Sequence, residues 1–180
     1  QQGFFWPQEK AINEREFENI PERYPDLIED GLTLEGRQMP IGQRHIDLVF
    51  RDKFGQRLII ELKNGLILRA HIGQLFEYQG ELLTPDDPNV RVMLIGNRVP
   101  PNMPRSLEHH GFEWLELTVE HLAGYVRKRG DSEFTEYFAK QPHVPAASVS
   151  PHPSRIATRP KSDRIKIIDK FYALFVQKHL

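Results

Sequence analysis

Two apolar segments joined by a short polar stretch constrain the fold of this chain more than any other feature. Residues 45–50 and 58–63 are strand-like, and the six residues between them are polar and include a glycine, a pattern that predicts a β-hairpin. Because a strand alternates its side chains between two faces, Asp47 is expected to point away from the apolar residues of its strand. Glu61 and Lys63 share one face of the second strand. The hairpin therefore predicts two carboxylates and an ammonium group at one end.

These residue types suit the hydrolysis of a phosphodiester bond. Mg²⁺ prefers oxygen ligands, and proteins commonly supply one or two carboxylates. A bound metal ion polarises the scissile phosphate and lowers the pKa of a bound water. Lys63 could orient or deprotonate the attacking water, or offset charge in the transition state. The alternative is a half-exposed strand with ordinary surface charges, because Glu-x-Lys on alternating positions is common.

Composition excludes several classes of protein. The chain of 180 residues is long enough for one good core, and it has no cysteine, which excludes a disulfide framework and a thiolate zinc site. The sequence contains no apolar run of membrane-spanning length and does not begin like a signal peptide. We expect a cytoplasmic protein with no membrane association.

Charge is distributed unevenly, although the formal net charge is only -1. Residues 1–36 hold 9 Asp/Glu against 3 Lys/Arg, residues 37–126 hold 11 against 10, and residues 127–180 hold 5 against 11. A basic tail behind a carboxylate-bearing core is compatible with DNA binding. The alternative is two solvated ends of opposite sign that attract each other.

Hydrophobic patterns predict the element order αββαβαβα, which corresponds to a mixed sheet flanked by helices. Asn13 and Glu16 form a capping-box pattern at the start of the first helix, with Phe17 and Ile20 facing inward, and Pro21 makes the helix short or kinked. A second helix over 68–83 is predicted to bury a stripe made of Ile72, Leu75, Phe76, Gln79 and Leu83.

The later elements follow the same reasoning. Residues 90–95 predict a buried strand followed by a turn at Gly96-Asn97. Further elements are a short helix over 104–110, a strand over 112–117 and a helix over 118–128.

The C-terminal part has a different composition. Residues 1–140 are predicted to form one domain, 141–162 are a Pro- and Ser-rich linker, and 163–180 are an amphipathic helix. An isolated amphipathic helix needs a surface to cover, so we expect it to dock on its own domain or to dimerise.

Four segments together resemble a known family. They are Asp26-Leu27-Ile28-Glu29-Asp30-Gly31-Leu32, Gly42-Gln43-Arg44-His45-Ile46-Asp47-Leu48, Ile59-Ile60-Glu61-Leu62-Lys63-Asn64-Gly65 and Gly73-Gln74-Leu75-Phe76-Glu77-Tyr78. Their combination resembles the PD-(D/E)xK nuclease superfamily, and within it the catalytic domain of NucS (EndoMS)-type endonucleases with a RecB-like Gln-x-x-x-Tyr helix.

The resemblance implies a restriction-endonuclease-like α/β core whose active site binds Mg²⁺ or Mn²⁺. In this scheme Asp47 and Glu61 are metal ligands and Lys63 lies beside the water. Gln74 and Tyr78, one helical turn apart, line the cleft. For this pair the alternative is an ordinary flank of the helix.

The family also places a glutamate of its first helix at the metal. Glu14 matches that position best, and Glu18 lies one turn further on, so the choice stays open. His45 departs from the family pattern and could be a ligand, a phosphate contact or a flanking residue. Residues expected to contact nucleic acid are Arg44, His45, Arg69, Arg127, Lys128 and Arg129.

The sequence therefore predicts a Mg²⁺- or Mn²⁺-dependent DNA endonuclease that forms a homodimer. The alternative is a non-catalytic or partner-activated DNA-binding subunit of a larger nucleoprotein complex acting in defence or transposition. NucS-type proteins carry a separate N-terminal DNA-binding and dimerisation domain, whereas only a short acidic segment precedes the catalytic unit here. The resemblance therefore does not extend to mismatch specificity.

Overall fold

A computed structural model describes residues 12–83 and 89–141, which form a five-stranded mixed sheet with helices on both faces. The strands are β1 (Thr33–Ile41), β2 (Arg44–Arg51), β3 (Arg57–Leu66), β4 (Arg91–Arg98) and β5 (Glu113–Glu116). The helices are α1 (Glu14–Arg23), α2 (Arg69–Leu82), α3 (Met103–His109), α4 (Val119–Lys128) and α5 (Ser132–Ala139), and a 3₁₀ turn covers Pro25–Leu27.

The strands lie in chain order across the sheet. The pairs β1–β2 and β2–β3 are antiparallel, and β3–β4 and β4–β5 are parallel, so the predicted hairpin and the predicted mixed α/β sheet are both confirmed. The hairpin turn is closed by Asp52, whose Oδ1 accepts hydrogen bonds from the backbone N–H groups of Phe54 and Gln56 at 2.9 and 2.8 Å. Gly55 supplies the positive φ of +80° that this turn requires.

An apolar core covers each face of the sheet. The core under α1, α4 and α5 includes Phe17, Ile20, Leu48, Phe50, Leu58, Ile60, Leu62, Leu122, Val126, Phe134 and Phe138. The core under α2 and α3 includes Ile46, Val49, Ile59, Ile72, Leu75, Tyr78, Leu94, Leu107 and Phe112. β3 contributes side chains to both cores, which explains its nearly continuous apolar sequence.

Helix α1 begins as its sequence predicts. The side chain of Asn13 accepts a hydrogen bond from the backbone N–H of Glu16 at 2.8 Å, and Phe17 and Ile20 are buried. Pro21 lies in the last turn, so the helix is short, as expected.

The predicted order lacks two of the observed elements, the strand β1 and the helix α5. β1 contains Gly36 and Pro40, which argue against a strand, but β1 is an edge strand with a register shift near Gly36, where both residues are tolerated. Helix α5 is short; Asp131 caps it, and Phe134 and Phe138 anchor it to the core. The observed order is αβββαβαβαα.

The predicted buried stripe of α2 is wrong in part. Ile72 and Leu75 are buried as expected, but Phe76 and Leu83 are 43% and 44% exposed. Tyr78, expected on the flank of this stripe, is only 1% exposed. The helix is rotated about its axis relative to the prediction because the Tyr78 hydroxyl makes polar contacts beneath it.

The predicted turn at Gly96-Asn97 is also wrong, because β4 continues through both residues. A Cβ atom on Gly96 would lie 2.6 Å from a side-chain carbon of Ile67, so glycine is needed for close packing at this position. The buried amide of Asn97 donates to the backbone carbonyl of Leu117 at 3.0 Å.

The C-terminal predictions fall on a part of the chain that is not described. Except for Gln141, the expected linker over 141–162 and the expected helix over 163–180 lie outside the described residues. In the part of the chain that is described, none of the helices is long and apolar enough to cross a membrane.

Arg91 holds together the end of the sheet at which the β2–β3 hairpin turns. Its guanidinium contacts Asp52 at 2.9 Å and forms pairs of hydrogen bonds with the carboxylates of Glu29 and Glu113. The Arg91 side chain is only 9% exposed, and the Asp52 side chain is 1% exposed. One buried cation therefore joins the hairpin turn, the start of β4, the start of β5 and the segment before β1.

We predict that Arg91→Met lowers the free energy of unfolding by about 3–5 kcal/mol, because it leaves buried carboxylates without a partner. Arg44→Met is the control: it removes a surface ion pair with Glu77 whose side chains are about half exposed, and it should change the free energy by less than about 1 kcal/mol. Urea unfolding measures both. Equal losses in the two variants would contradict the structural role of Arg91.

Candidate functional site

The site is built where β2 and β3 separate. The ladder between these strands runs from the pair of Arg51 and Arg57 to the pair of Leu48 and Ile60. Beyond it, β2 stays paired with β1 and β3 stays paired with β4. At the point of separation the Asp47 carboxylate accepts a hydrogen bond from the backbone N–H of Leu62 at 2.7 Å.

Glu61, on β3, is the most buried acidic group of the site, at 3% exposure. Its Oε1 accepts hydrogen bonds from Lys63 Nζ at 2.5 Å and Gln74 Nε2 at 2.7 Å. Its Oε2 lies 2.9 Å from the Tyr78 hydroxyl. A buried carboxylate is tolerated only when it is paired and hydrogen-bonded, and these three side chains meet that requirement.

The Gln74 and Tyr78 side chains also contact each other. Gln74 Nε2 lies 2.6 Å from the Tyr78 hydroxyl, which lies 2.9 Å from the backbone carbonyl oxygen of His45. Burial and the charge of Glu61 raise the pKa of Tyr78 despite an opposing hydrogen bond from Gln74. Tyr78 therefore stays protonated at neutral pH and acts as a hydrogen-bond donor.

Asp47 lies in a negative environment. Burial raises its pKa to about 6, and the charges of Glu61 and Glu18 act in the same direction. Hydrogen bonds from the backbone of Leu62 and from the side chain of Gln38 lower the pKa but do not cancel the increase.

The structure distinguishes the two glutamates considered for the first helix. Gln38 Nε2 donates to Glu18 Oε1 at 3.1 Å and to Asp47 Oδ1 at 3.0 Å, so Glu18 belongs to the same hydrogen-bonded group as Asp47. Arg37 holds the other oxygen of Glu18, with Nη2 at 2.9 Å. Glu14 is exposed in the first turn of α1.

Three residues of this neighbourhood are absent from the sequence-based prediction. Arg37 and Gln38 lie on β1, a strand that the sequence does not predict because of its glycine and proline. His71 is the third: its Nδ1 accepts the backbone N–H of Leu68 at 3.1 Å, and burial together with the charge of Lys63 lowers its pKa. The polar pair Arg37-Gln38, just ahead of the Asp47 strand, is the signal that could have found two of them.

Three residues predicted to contact nucleic acid lie on β2 and α2, two elements that contribute side chains to this site. Arg44 pairs with Glu77 at 2.6 Å, and it lines, with Tyr78, an open cavity of about 430 Å³ between α2 and the β1–β2 turn. His45 is exposed, and its backbone carbonyl, rather than its ring, takes part in the polar group around Tyr78. Arg69 is exposed at the start of α2.

The remaining three lie at the C-terminal end of α4. Arg127 and Lys128 are exposed. Arg129 forms an ion pair with Asp26 and hydrogen-bonds the hydroxyl of Tyr125 at 2.9 Å. The contacts of Arg129 are thus with the protein itself, outside the group of residues around Glu61.

A comparison with protein families assigns the chain to a family. The endonuclease NucS C-terminal domain model matches residues 13–135, which span every described helix and strand except the last turn of α5. The chain belongs to this family.

Individual relatives agree with the assignment. Endonuclease NucS from Pyrococcus abyssi is 29% identical over 105 residues, covering 58% of this chain and 42% of the relative. Endonuclease NucS from Methanopyrus kandleri is 27% identical over 105 residues, covering 58% of this chain and 40% of the relative. The chain therefore spans less than half the length of these curated NucS proteins.

Solved structures show the same fold. A crystal structure of a repair endonuclease from Pyrococcus abyssi superposes with a TM-score of 0.55 at 27% identity, covering 59% of this chain and 47% of that one. A structure of EndoMS in a complex with double-stranded DNA has a TM-score of 0.55 at 24% identity, covering 66% and 49%. The α/β fold of this NucS C-terminal domain is thus shared with NucS and EndoMS structures.

We predict that Tyr78→Phe lowers the free energy of unfolding by about 1–3 kcal/mol, because it leaves the buried Glu61 carboxylate short of a donor. Tyr137→Phe is the matched control, since among the described residues the Tyr137 hydroxyl accepts only an exposed hydrogen bond, from the backbone of Asn13 at 3.0 Å. The control should lose less than about 1 kcal/mol. Urea unfolding of both variants checks the difference, and equal losses would contradict the role given to Tyr78.

Proposed function

We propose that this NucS C-terminal domain is the catalytic unit of a metal-dependent DNA endonuclease with a PD-(D/E)xK active site. The observation that carries the proposal is that Asp47, Glu61 and Lys63 meet where β2 and β3 separate, with Gln74 and Tyr78 hydrogen-bonded to Glu61. Relatives of this chain are named endonucleases, and one similar structure was solved with double-stranded DNA.

The donor chemistry fits Mg²⁺ or Mn²⁺. Asp47, Glu61 and Glu18 supply carboxylate oxygens, the ligands preferred by a hard divalent cation. Burial, together with the charges of Glu61 and Glu18, raises the pKa of Asp47, and a bound cation would oppose that shift. Within residues 12–83 and 89–141, no three His, Asp or Glu side chains are already arranged to hold one ion. Binding would therefore require side chains to rearrange around the cation.

Gln74 and Tyr78 hold Glu61 in place. Both donate to its carboxylate from α2, and the Tyr78 ring is buried in the core beneath this helix. The carboxylate thus keeps one orientation, which limits the reorganisation needed during the reaction. We propose that this is why the helix presents glutamine and tyrosine four residues apart.

Lys63 is the residue proposed to act on the water. Its ammonium lies 2.5 Å from Glu61, and its side chain is 26% exposed, so it can reach a substrate phosphate or water at the surface of the site. A bound Mg²⁺ or Mn²⁺ would supply polarisation of the phosphate and a lower pKa for water. As an ammonium, Lys63 would then orient the water or offset the charge of the transition state. To deprotonate the water instead, it would first have to give up its own proton to solvent.

The proposed reaction is hydrolysis by in-line attack. The water loses a proton, to solvent or to Lys63 in its neutral form, as its oxygen bonds to phosphorus. The bond from phosphorus to the 3′ oxygen breaks, and the leaving oxygen takes a proton from solvent. The products are a 5′-phosphate and a 3′-hydroxyl. Arg44, His45 and Arg69 are proposed to contact the DNA backbone near the site, and Arg127, Lys128 and Arg129 to contact it further away.

A second function is favoured by the length of the match. Because the chain spans 42% and 40% of the two NucS relatives, other parts of a protein or a partner could be needed for DNA binding. The domain would then be a partner-activated or non-catalytic subunit of a larger nucleoprotein complex, or act as a homodimer. Metal binding without cleavage, with cleavage restored by a partner, would identify this case.

We predict that Lys63→Met and Asp47→Asn each lower metal-dependent DNA cleavage by about 100-fold or more, because each removes a group required at the reacting phosphate. Supercoiled plasmid and labelled single-stranded, duplex and branched DNA are the substrates, with Mg²⁺, Mn²⁺ or EDTA. The control is Glu136→Gln, which removes only an exposed carboxylate on α5. Wild-type rates in either site variant would contradict the assignment.

We also predict that Mn²⁺ raises the Tm of the wild-type protein and not that of Asp47→Asn. A ligand present at 100 times its Kd stabilises the folded state by about 2.7 kcal/mol. Differential scanning fluorimetry with Mn²⁺ or EDTA measures the shift, and Glu136→Gln should behave as the wild type does. An equal shift in Asp47→Asn would place the ion elsewhere.

A further inference from the structure

Gln38 combines an unusual backbone conformation with a side chain that contacts two carboxylates. Its φ is +48°, and in the part of the chain that is described it is the one non-glycine residue with positive φ. This left-handed conformation is unfavourable for residues that carry a Cβ, and surrounding contacts must maintain it. In the β1–β2 ladder, the neighbours of Gln38 pair with the neighbours of Asp47, so the two residues lie opposite each other.

The amide nitrogen of Gln38 lies between two carboxylate oxygens. It is 3.1 Å from Glu18 Oε1 and 3.0 Å from Asp47 Oδ1, so each of its two N–H bonds serves one carboxylate. The second oxygen of each carboxylate has another donor: Arg37 for Glu18, and the backbone N–H of Leu62 for Asp47. The two remaining oxygens therefore face the same nitrogen.

An amide at this position supplies donors but no charge. The amide bridges the two carboxylates but does not neutralise their charge. A divalent cation would bridge them and also neutralise them. Because Arg37 and the Leu62 backbone anchor the opposite oxygens, both carboxylates would keep their places if the amide moved away. A cation bound to both oxygens would therefore occupy the place that the amide nitrogen takes in the metal-free protein.

We propose that Gln38 is a positioning residue of the metal site: its amide spaces Glu18 and Asp47 in the metal-free protein and is displaced when a divalent cation binds them. This inference rests on the proposed function. It assigns to the β1 strand a role in cation affinity, and it explains why a strained glutamine stands opposite Asp47. A purely structural role in β1 would leave cation affinity unchanged.

The test is calorimetric titration of Mn²⁺ into metal-free wild-type protein and Gln38→Gly. Glycine adopts a positive φ readily, so this variant removes the amide while keeping the backbone conformation. We expect Gln38→Gly to bind Mn²⁺ about 3–10-fold more tightly, because the cation no longer competes with two hydrogen bonds. Gln43→Gly, in the exposed β1–β2 turn, makes the same chemical change outside the site and should bind Mn²⁺ as the wild type does.

Gln38→Glu provides an independent measurement. It places a third carboxylate beside Glu18 and Asp47, so its Tm in EDTA should fall below that of the wild type, and Mn²⁺ should produce a larger increase. Unchanged or weaker Mn²⁺ binding by Gln38→Gly would overturn the role of Gln38, while loss of binding in Asp47→Asn would still support the proposed function. Absence of Mn²⁺ binding to the wild type would overturn both.

Discussion

The burial of one carboxylate, that of Glu61, determines much of the structure around it. Glu61 lies on β3, whose side chains enter the cores on both faces of the sheet, so its charge requires partners within the protein. Gln74 and Tyr78 reach it from α2, and this requirement explains the rotation of α2 that buries Tyr78 and exposes Phe76. The orientation of the helix is thus set by a polar contact as much as by apolar packing.

The two ends of the β2–β3 hairpin hold their carboxylates in different ways. At the turn, the buried guanidinium of Arg91 contacts three carboxylates and fixes the sheet. At the open end, the neutral amide of Gln38 bridges Asp47 and Glu18, while Lys63 and Arg37 pair with Glu61 and Glu18. The same sheet therefore combines an end fixed by a buried cationic side chain with an end whose carboxylates we propose to bind a metal ion, consistent with the placement of function on a rigid scaffold.

The sequence predicts those features that depend on local pattern. The hairpin, the alternation around Glu61 and the Asn13 cap follow from periodicity and short-range hydrogen bonding, and the structure agrees with each. Strand β1 is not predicted because its glycine and proline are tolerated only at the edge of a sheet. The local sequence does not show that β1 lies at an edge, because this position is set by the tertiary fold. The contacts of Gln38, and the link that Gln38 makes between Glu18 and Asp47, depend on that strand and could not be predicted without it.

The most direct test of the central claim is the anomalous scattering of Mn²⁺ in a crystal of this domain. The account predicts one peak at the opening between β2 and β3, within coordinating distance of the carboxylates of Asp47, Glu18 and Glu61, with the Gln38 amide moved from its position between Glu18 and Asp47. A peak elsewhere on the domain, or no peak at saturating Mn²⁺, would contradict it.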